Sequence, residues 1–411
     1  MQGELAKKYA SVLLQVGVDL KPGQHLYIQA PLEAVKLVRE LTKQAYEMGA
    51  SFVKPLYYDI LQDELRAAYS QEEFLSAAPR WEQDYMEGFS KENCAFLKLA
   101  CVHNIAPGEV SPQRLAAVAG ANMALMSGYR KNMNSWRVNW TSVIYPTLEW
   151  AELAYPDLSG EAAMDALMGD FSKINYLDQP DPVASWKAFR DDLGSRYEKL
   201  NALEIETLCY DSPTAQLTIR LVENSKWVGG AVYTEGKKHH FMGNIPTAEA
   251  FNVPHKYGVD GRVKATLPLN YNGTLIEGID LRFEGGRVVE YHADQGYEAL
   301  KSILETDEGA MHLGEVALVP ASSPISRCQR VFMTTLYDEN AACHLALGNY
   351  CSMCTGSAEG LPEETVEARG INKSKLHVDF MMGSDQLTVT ARCRDGKEVV
   401  LMRRGEWTDE F

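Results

Sequence analysis

The sequence predicts two domains of different class, an α/β domain over residues 1–185 and an α+β, largely antiparallel domain over residues 186–411. In the first domain, segments with strand and helix periodicity alternate, which is typical of a parallel sheet with flanking helices. After about residue 185, short strands are separated by turn dipeptides that favour hairpins. With 411 residues, of which 45% are hydrophobic, the chain can bury more than one sizeable core.

The order of elements in the first domain indicates β-α-β units. The predicted elements are helices at residues 5–16, 33–48 and 113–119 and strands at residues 25–30, 51–58 and 95–100. Strands joined through helices in this way run parallel. No G-x-G-x-x-G or Walker-type loop accompanies them. Only the fold class therefore supports the alternative of a nucleotide-binding enzyme.

The second domain opens with a charged helix, predicted at residues 185–203. Tight turns are expected at Asn272-Gly273 and Gly285-Gly286, because both dipeptides favour hairpins. The strands predicted around these turns form an antiparallel meander at residues 263–269, 274–283 and 287–292.

A strand at residues 375–382 carries the most informative polar pair. Side chains alternate across a strand, so His377 and Asp379 share one face and the apolar residues between them occupy the other. An imidazole beside a carboxylate on such a strand is a natural ligand pair for a divalent metal. The alternative is a surface strand with a solvated histidine and aspartate.

Three further residues could complete a metal site. Glu315 lies in an apolar run typical of an inner strand, where an acid needs a cation. Residues 338–348 predict a short helix that presents His344 near its end. Glu249 lies in a loop or at the entry to a strand, where turn geometry can aim a ligand.

These residues belong to segments that resemble the thermophilic-metalloprotease (M29) family of metal-dependent aminopeptidases. The resemblance runs nearly end to end and is densest in segments of the second half, among them Asn244-Ile245-Pro246-Thr247, Leu313-Gly314-Glu315-Val316, Ser323-Pro324-Ile325-Ser326, Glu339-Asn340-Ala341 and His377-Val378-Asp379-Phe380. It implies an aminopeptidase that acts on peptides, is a homodimer, and has its metal ligands at Glu249, Glu315, His344, His377 and Asp379.

The implied ligand set has more carboxylates than a single tetrahedral zinc site uses, which suggests two metal ions sharing a bridging acid. Glu315 and Asp379 are both candidates for the bridge. Mixed oxygen and nitrogen ligands suit zinc, cobalt and manganese alike. Glu339 and His255 lie in matching segments and could either assist the site or only orient a loop.

The sequence departs from the family at one position. The family places a tyrosine at the metal centre seven residues after the helix histidine, whereas this chain has Cys351 there and Tyr350 one residue earlier. A one-residue deletion in the loop could still deliver the Tyr350 hydroxyl, and we therefore predict Tyr350 as the catalytic residue. With strict spacing, a thiol would occupy the site and favour zinc.

Charge and composition exclude several other classes. A formal charge of −16 argues against nucleic-acid binding and against attraction to anionic membranes. No apolar run approaches the roughly 20 residues that cross a bilayer, and no secretory hydrophobic block is evident near residue 1. We therefore expect a cytoplasmic protein whose eight cysteines are mostly reduced core residues. The C-x-x-C pair of Cys351 and Cys354 could instead hold a structural zinc or form a redox pair.

Two functions from other classes compete with a dinuclear metalloaminopeptidase. The first is a catalytically silent relative that binds peptides, which the shifted tyrosine leaves open. The second is a nucleotide-binding enzyme built on the α/β half, which lacks a phosphate loop.

Overall fold

The computed structural model describes residues 1–102, 110–271, 273–356 and 361–411. The chain divides into two compact units. The first consists of Met1–Ala188 and Ala231–Ile245, and the second of Phe189–Gly230 and Pro246–Phe411.

The helices, in chain order, are α1 (Gly3–Val12), α2 (Val35–Glu47), α3 (Gln62–Tyr69), α4 (Arg80–Ser90), α5 (Pro112–Leu125), α6 (Ser127–Asn134), α7 (Leu148–Ala154), α8 (Gly160–Ile174), α9 (Pro182–Ala202), α10 (Tyr297–Leu304), α11 (Thr335–Asp338) and α12 (Glu363–Ala368). A π-helical turn, Leu13–Gly17, continues α1. Among the described residues, no helix is both long enough and apolar enough to cross a membrane.

The strands, in chain order, are β1 (His25–Pro31), β2 (Phe52–Tyr58), β3 (Cys94–Ala100), β4 (Asn139–Ile144), β5 (Ile205–Ser212), β6 (Ala215–Leu221), β7 (Val228–Gly229), β8 (Ala231–Tyr233), β9 (His240–Met242), β10 (Ala250–Asn252), β11 (Pro254–Lys264), β12 (Leu269–Tyr271), β13 (Thr274–Ile276), β14 (Asp280–Glu284), β15 (Arg287–His292), β16 (Leu313–Leu318), β17 (His344–Gly348), β18 (His377–Met381), β19 (Thr388–Cys393), β20 (Glu398–Arg403) and β21 (Glu406–Trp407).

The first unit contains a parallel sheet with the strand order β2-β1-β3-β4. The predicted α/β class is confirmed. One face of this sheet is closed by aromatic packing between strands and helices, in which Tyr27 stacks on Phe89 with ring centroids 4.0 Å apart and Phe96 packs on Tyr129 at 4.5 Å. Aromatic pairs at these separations add to the stability that their buried area provides.

The segment Ala231–Ile245 belongs to the first unit, whereas the sequence placed it in the second domain. The N–H of Ser142 in β4 donates to the carbonyl of Gly243 (2.8 Å), and Phe241 packs edge-on against Trp140. These contacts are made to residues about 100 positions earlier in the chain, so local pattern does not reveal them.

The second unit contains two antiparallel sheets, with the strand orders β18-β17-β16-β10-β7 and β15-β14-β11-β6-β5-β19-β20-β21. The predicted antiparallel class is confirmed. Strands β11, β14 and β15 are neighbours in the larger sheet, and the separate hairpin of β12 and β13 lies between them in the chain. Of the turn predicted at Asn272-Gly273, Asn272 lies outside the described residues.

The helix predicted at residues 338–348 is wrong. Helix α11 ends at Asp338, a short 3-10 turn follows, and His344–Gly348 forms strand β17. All five residues of β17 are buried, and the strand pairs with β16 on one side and β18 on the other. Pairing on both edges outweighs the helix propensity of the small residues, since tertiary context overrides such preferences.

Candidate metal centre

Adjacent strands of the five-stranded sheet position the acids and histidines predicted from the sequence. Glu315 lies on β16, His344 begins β17, and His377 and Asp379 lie on β18. Glu249 immediately precedes β10, which pairs with β16. Because the sheet order is β18-β17-β16-β10, these segments lie side by side and bring the five side chains together.

The five side chains form two groups that share Glu315. Glu249, Glu315 and His344 form one, and Glu315, His377 and Asp379 form the other, with the potential ligand atoms of each group within 4.8 Å of one another. The Nε2 atom of His344 lies 3.3 Å from Glu249 Oε2 and 3.5 Å from Glu315 Oε1. The Nε2 atom of His377 lies 3.3 Å from Asp379 Oδ1 and 3.9 Å from Glu315 Oε2. The two oxygens of Glu315 thus face different imidazoles.

Burial within the cluster is uneven. Glu249, Glu315 and Asp379 are buried, and only 1% of the His344 side chain is exposed. In contrast, 35% of the His377 side chain is exposed, so this side of the cluster is open to solvent. A reactant from solution can therefore reach the cluster at His377.

The hydrogen bonds of the two histidines fit a metal site. His344 Nδ1 lies 3.2 Å from the carbonyl oxygen of Ala342, and His377 Nδ1 lies 2.7 Å from that of Asn349. A carbonyl only accepts, so each Nδ1 carries a proton, and the Nε2 atom that faces the carboxylates is the nitrogen available to a metal. His344 Nε2 is buried and has no hydrogen-bond partner among the described residues. The residues present therefore fit a divalent metal.

The electrostatics of the cluster reflect crowded buried charges. Burial by itself lowers the pKa of His344, but Glu249 and Glu315 raise it well above the ordinary value. Burial likewise opposes the charged form of His377, and Asp379 and Glu315 raise its pKa. The pKa of Glu315 is raised mainly by burial, while that of Asp379 is lowered by His377 against the effect of burial. A cation bound here would compensate the carboxylates directly.

Two residues that the sequence did not single out hold Glu249 in place. The Tyr197 hydroxyl donates to the Glu249 carbonyl oxygen at 2.9 Å. The side-chain oxygen of Asn340 accepts from the N–H of Ala248 at 2.7 Å. Asn340 lies in the segment Glu339-Asn340-Ala341, which resembles the family, so the sequence could have indicated it. No sequence feature pointed to Tyr197.

Glu339 and His255, both considered from the sequence, lie in different environments. The pKa of Glu339 is raised well above its ordinary value, first by burial and then by the charges of Glu249 and Asp379, so its carboxyl group adjoins the cluster. His255 instead contacts Arg220, whose Nη2 lies 3.0 Å from His255 Nδ1. Only Glu339 is therefore placed to assist the site.

Tyr350 and the neighbouring cysteines pack beside the sheet. The Tyr350 hydroxyl accepts a hydrogen bond from the backbone N–H of Leu361 at 3.3 Å, and its ring packs on a core cluster that includes Phe251 and Cys354. All eight cysteines are free thiols. Within the described ranges, the residue groups spaced to hold a metal contain no cysteine, Cys351 and Cys354 included.

Three acids and two imidazoles gathered on adjacent strands are typical of metal-dependent hydrolases. The chain belongs to the thermophilic metalloprotease family M29, whose model matches residues 2–407.

Similar proteins of this family cover almost the whole chain. The chain is 40% identical over 404 residues to aminopeptidase 2 of Geobacillus stearothermophilus and 40% identical over 408 residues to aminopeptidase T of Thermus aquaticus, with 98% of each chain covered. The solved structure of wild-type AmpT from Thermus thermophilus matches with a TM-score of 0.90 and 36% identity, over 98% of this chain and 99% of that chain.

Proposed function

We propose that the protein is an aminopeptidase that removes N-terminal residues from peptides, using two divalent metal ions held by Glu249, Glu315, His344, His377 and Asp379. The observation that carries the proposal is the pair of ligand groups that share Glu315. Its two carboxylate oxygens face different imidazoles, which supports Glu315 as the bridging acid. The named relatives are aminopeptidases, which supports the substrate class.

A bound divalent metal supplies a Lewis acid that polarises the scissile carbonyl and lowers the pKa of water. The chain itself supplies the proton transfers and the alignment. Glu339 Oε1 lies 3.4 Å from the Asn340 amide nitrogen, and Glu339 Oε2 has no hydrogen bond to a described residue. We assign Oε2 to take the proton from the attacking water and return it to the leaving amine.

The shared role of Glu315 is tested by metal stoichiometry. Glu315→Gln alters both ligand groups, so we expect loss of both metal ions, whereas Asp379→Asn alters one group and should mainly reduce occupancy of one site. Metal content per chain, measured by mass spectrometry after dialysis against zinc or cobalt, checks this. Equal and partial loss in both variants would argue against a bridging role.

The activity is tested with fluorogenic aminoacyl substrates and their N-acetylated counterparts, with zinc, cobalt or manganese and then with a chelator. We expect hydrolysis of the free-amine substrates alone, abolished by chelation and restored by metal. Turnover that survives complete metal removal would exclude the proposed reaction. Metal binding without turnover would identify a silent peptide-binding relative, for which the Tyr350 hydroxyl contact with Leu361 is the motivating observation.

We further propose that the protein is a cytoplasmic homodimer, the dimer being what the resemblance seen in the sequence implies. Light scattering coupled to size-exclusion chromatography should give twice the chain mass. A monomer mass at micromolar concentration would contradict this part of the proposal. Cell fractionation with a soluble cytoplasmic marker tests the location.

A further inference from the structure

The parallel sheet of the first unit has a topological switch point that the proposed peptidase reaction does not use. From β1 the chain continues to β2 on one side, and then crosses to β3 on the other side of β1. In open α/β sheets, ligands bind in the crevice at the carboxyl ends of the strands where the winding reverses. Gln29 of β1 and Lys98 of β3 are opposite each other in register at this point.

A cavity of about 850 Å³ lies at this edge of the sheet. Its floor includes Gln29, Tyr58, Lys98 and Trp140, one from each of the four strands, and residues of α3, α4, α5 and α6 line its other walls. Every residue that lines it belongs to the first unit. A volume of this size accommodates a small organic molecule.

Two cations line the cavity with no salt-bridge partner among the described residues. Within the described part of the chain, neither Lys98 nor Arg130 forms a salt bridge. Both residues are exposed to solvent, and the pKa of Lys98 is lowered, first by partial burial and second by the nearby charge of Arg130. Two neighbouring positive charges that repel each other in this way favour an anion between them.

The three carboxylates of the lining keep their own charge, but none of them forms a salt bridge with Lys98 or Arg130. Asp63 accepts two hydrogen bonds from the Asn122 amide, at 3.0 and 2.9 Å, and Asp59 accepts from the N–H of Leu61 at 3.0 Å. Glu82, the remaining carboxylate of the lining, lies in the first turn of α4, where the helix end favours negative charge.

Two buried polar atoms in the lining also lack a partner. The Tyr129 side chain is 2% exposed, and neither its hydroxyl nor the indole N–H of Trp140 has a hydrogen-bond partner among the described residues. Buried donors are nearly always satisfied in native proteins, so an unpaired donor on a lining residue points to a missing acceptor. An oxyanion accepts hydrogen bonds from such donors and pairs with both cations.

We propose that this cavity binds a small organic anion, with its carboxylate or phosphate oxygens between Lys98 and Arg130. The apolar part of the ligand packs against Met86, Met126 and Phe96, which line the same cavity. The site lies in the unit that does not carry the metal-ligand cluster, and it is independent of the proposed peptidase reaction.

Calorimetric titration of the full-length protein tests the proposal with two anionic probes and one neutral probe. Adenosine 5′-monophosphate represents phosphates, N-acetyl-Leu-Phe represents carboxylates, and the amide of that dipeptide is the uncharged match. The acetyl group removes the free amine that the peptidase reaction requires. We expect one of the anions to bind with a dissociation constant below 1 mM and the amide to bind at least roughly tenfold more weakly. The probe that binds shows whether the cavity prefers a phosphate or a carboxylate.

Variants locate the binding. Lys98→Met and Arg130→Gln should each weaken binding roughly tenfold or more, because each removes one charge-assisted contact. Tyr129→Phe should weaken it a few-fold. Lys54→Met is the matched control, since Lys54 lies on β2, is exposed and does not line the cavity. His377→Ala should bind the anion normally, which separates this cavity from the metal centre.

The proposal is overturned if neither anion binds at millimolar concentration, or if the amide binds as tightly as the free acid with no preference for the phosphate. It is also overturned if Lys98→Met, Arg130→Gln and Tyr129→Phe, each with a native circular dichroism spectrum, all bind like the parent protein. Loss of peptidase activity has no bearing on these outcomes.

Discussion

At the scale of single residues, the two histidines of the cluster are fixed in the same way. Each donates from Nδ1 to a backbone carbonyl, from His344 to Ala342 and from His377 to Asn349. The alternation of a strand predicted that His377 and Asp379 share a face, and the 3.3 Å between them agrees with that geometry. The carbonyl partners could not be predicted, because they depend on how the preceding loops return to the sheet.

Replacing His377 with alanine should remove metal and turnover together while leaving the fold intact, because this side chain is partly exposed. Metal affinity should fall by more than about 100-fold, because His377 is a ligand itself and the loss of a ligand's hydrogen-bond partner alone can cost about 100-fold. Metal analysis and substrate hydrolysis measure the two effects. His255→Ala is the control, since His255 contacts Arg220 and should retain both properties. Normal catalysis by the His377 variant would refute the ligand assignment.

Metal binding should release protons at neutral pH. The raised pKa of His344 and His377 means that both rings gain protons more readily in the metal-free protein than free imidazole does. A metal needs the Nε2 lone pair, so binding expels these protons and affinity falls as pH decreases. Titration calorimetry in buffers of different ionisation enthalpy measures the release. A binding enthalpy that is independent of the buffer would contradict the prediction.

The same shifts affect the stability of the metal-free protein. The folded pKa of both histidines is raised, so protonation of their rings stabilises the folded metal-free protein. This contribution to the free energy of unfolding is complete below about pH 6.5 and is lost as pH rises through the folded pKa. The lowered pKa of Asp379 acts in a lower range, where its contribution is present above the ordinary pKa of 3.8 and is lost as pH falls.

At the scale of elements, the site depends on strands packed closely around Glu249. Glu249 directly precedes Ala250, which pairs with Gly229 of β7. The space beside Gly229 is too small for a side chain. A Cβ atom at this position would overlap the Tyr197 hydroxyl and the Glu249 carbonyl oxygen. The sequence showed a Gly229-Gly230 pair but not what lay against it, since both neighbours are distant in the chain.

Gly229→Ala should therefore displace Tyr197 and Glu249 together. We expect the free energy of unfolding to decrease by about 1–3 kcal/mol, the usual cost of overpacking, and metal affinity to fall as well. Denaturant unfolding and metal titration measure these effects. Gly194→Ala in α9 is the matched control, because its Cβ meets no atom within 4 Å. It should stabilise the helix by up to about 1 kcal/mol. Unchanged metal affinity in Gly229→Ala would show that the Tyr197 contact does not position Glu249.

At the scale of the whole molecule, the two units carry different chemistry. The metal-ligand cluster lies in the second unit and the cation-lined cavity lies in the first. The acidic excess of the chain, −16 overall, includes the buried carboxylates of the cluster, whose repulsion a bound cation relieves. Metal should therefore stabilise the second unit.

Saturating metal should raise the unfolding temperature, because a ligand that binds only the folded state stabilises it by mass action. At 100 times the dissociation constant the gain is about 2.7 kcal/mol. Differential scanning calorimetry with zinc or cobalt, before and after chelation, measures the shift. His377→Ala should show a much smaller shift. An unfolding temperature that does not respond to metal in the parent protein would contradict a site formed in the folded state.

The sequence by itself determined the class of each half and the shared face of His377 and Asp379, and it predicted which acids and imidazoles would hold a cation. These properties follow from periodicity, polarity and family resemblance, which are written in short segments. Only the tertiary structure decided that His344 begins a strand, that Glu315 faces both imidazoles, and that Tyr197 and Asn340 hold the Glu249 segment. The physical reason is that these features arise from strand pairing and packing between residues far apart in the chain, where long-range contacts override local preference.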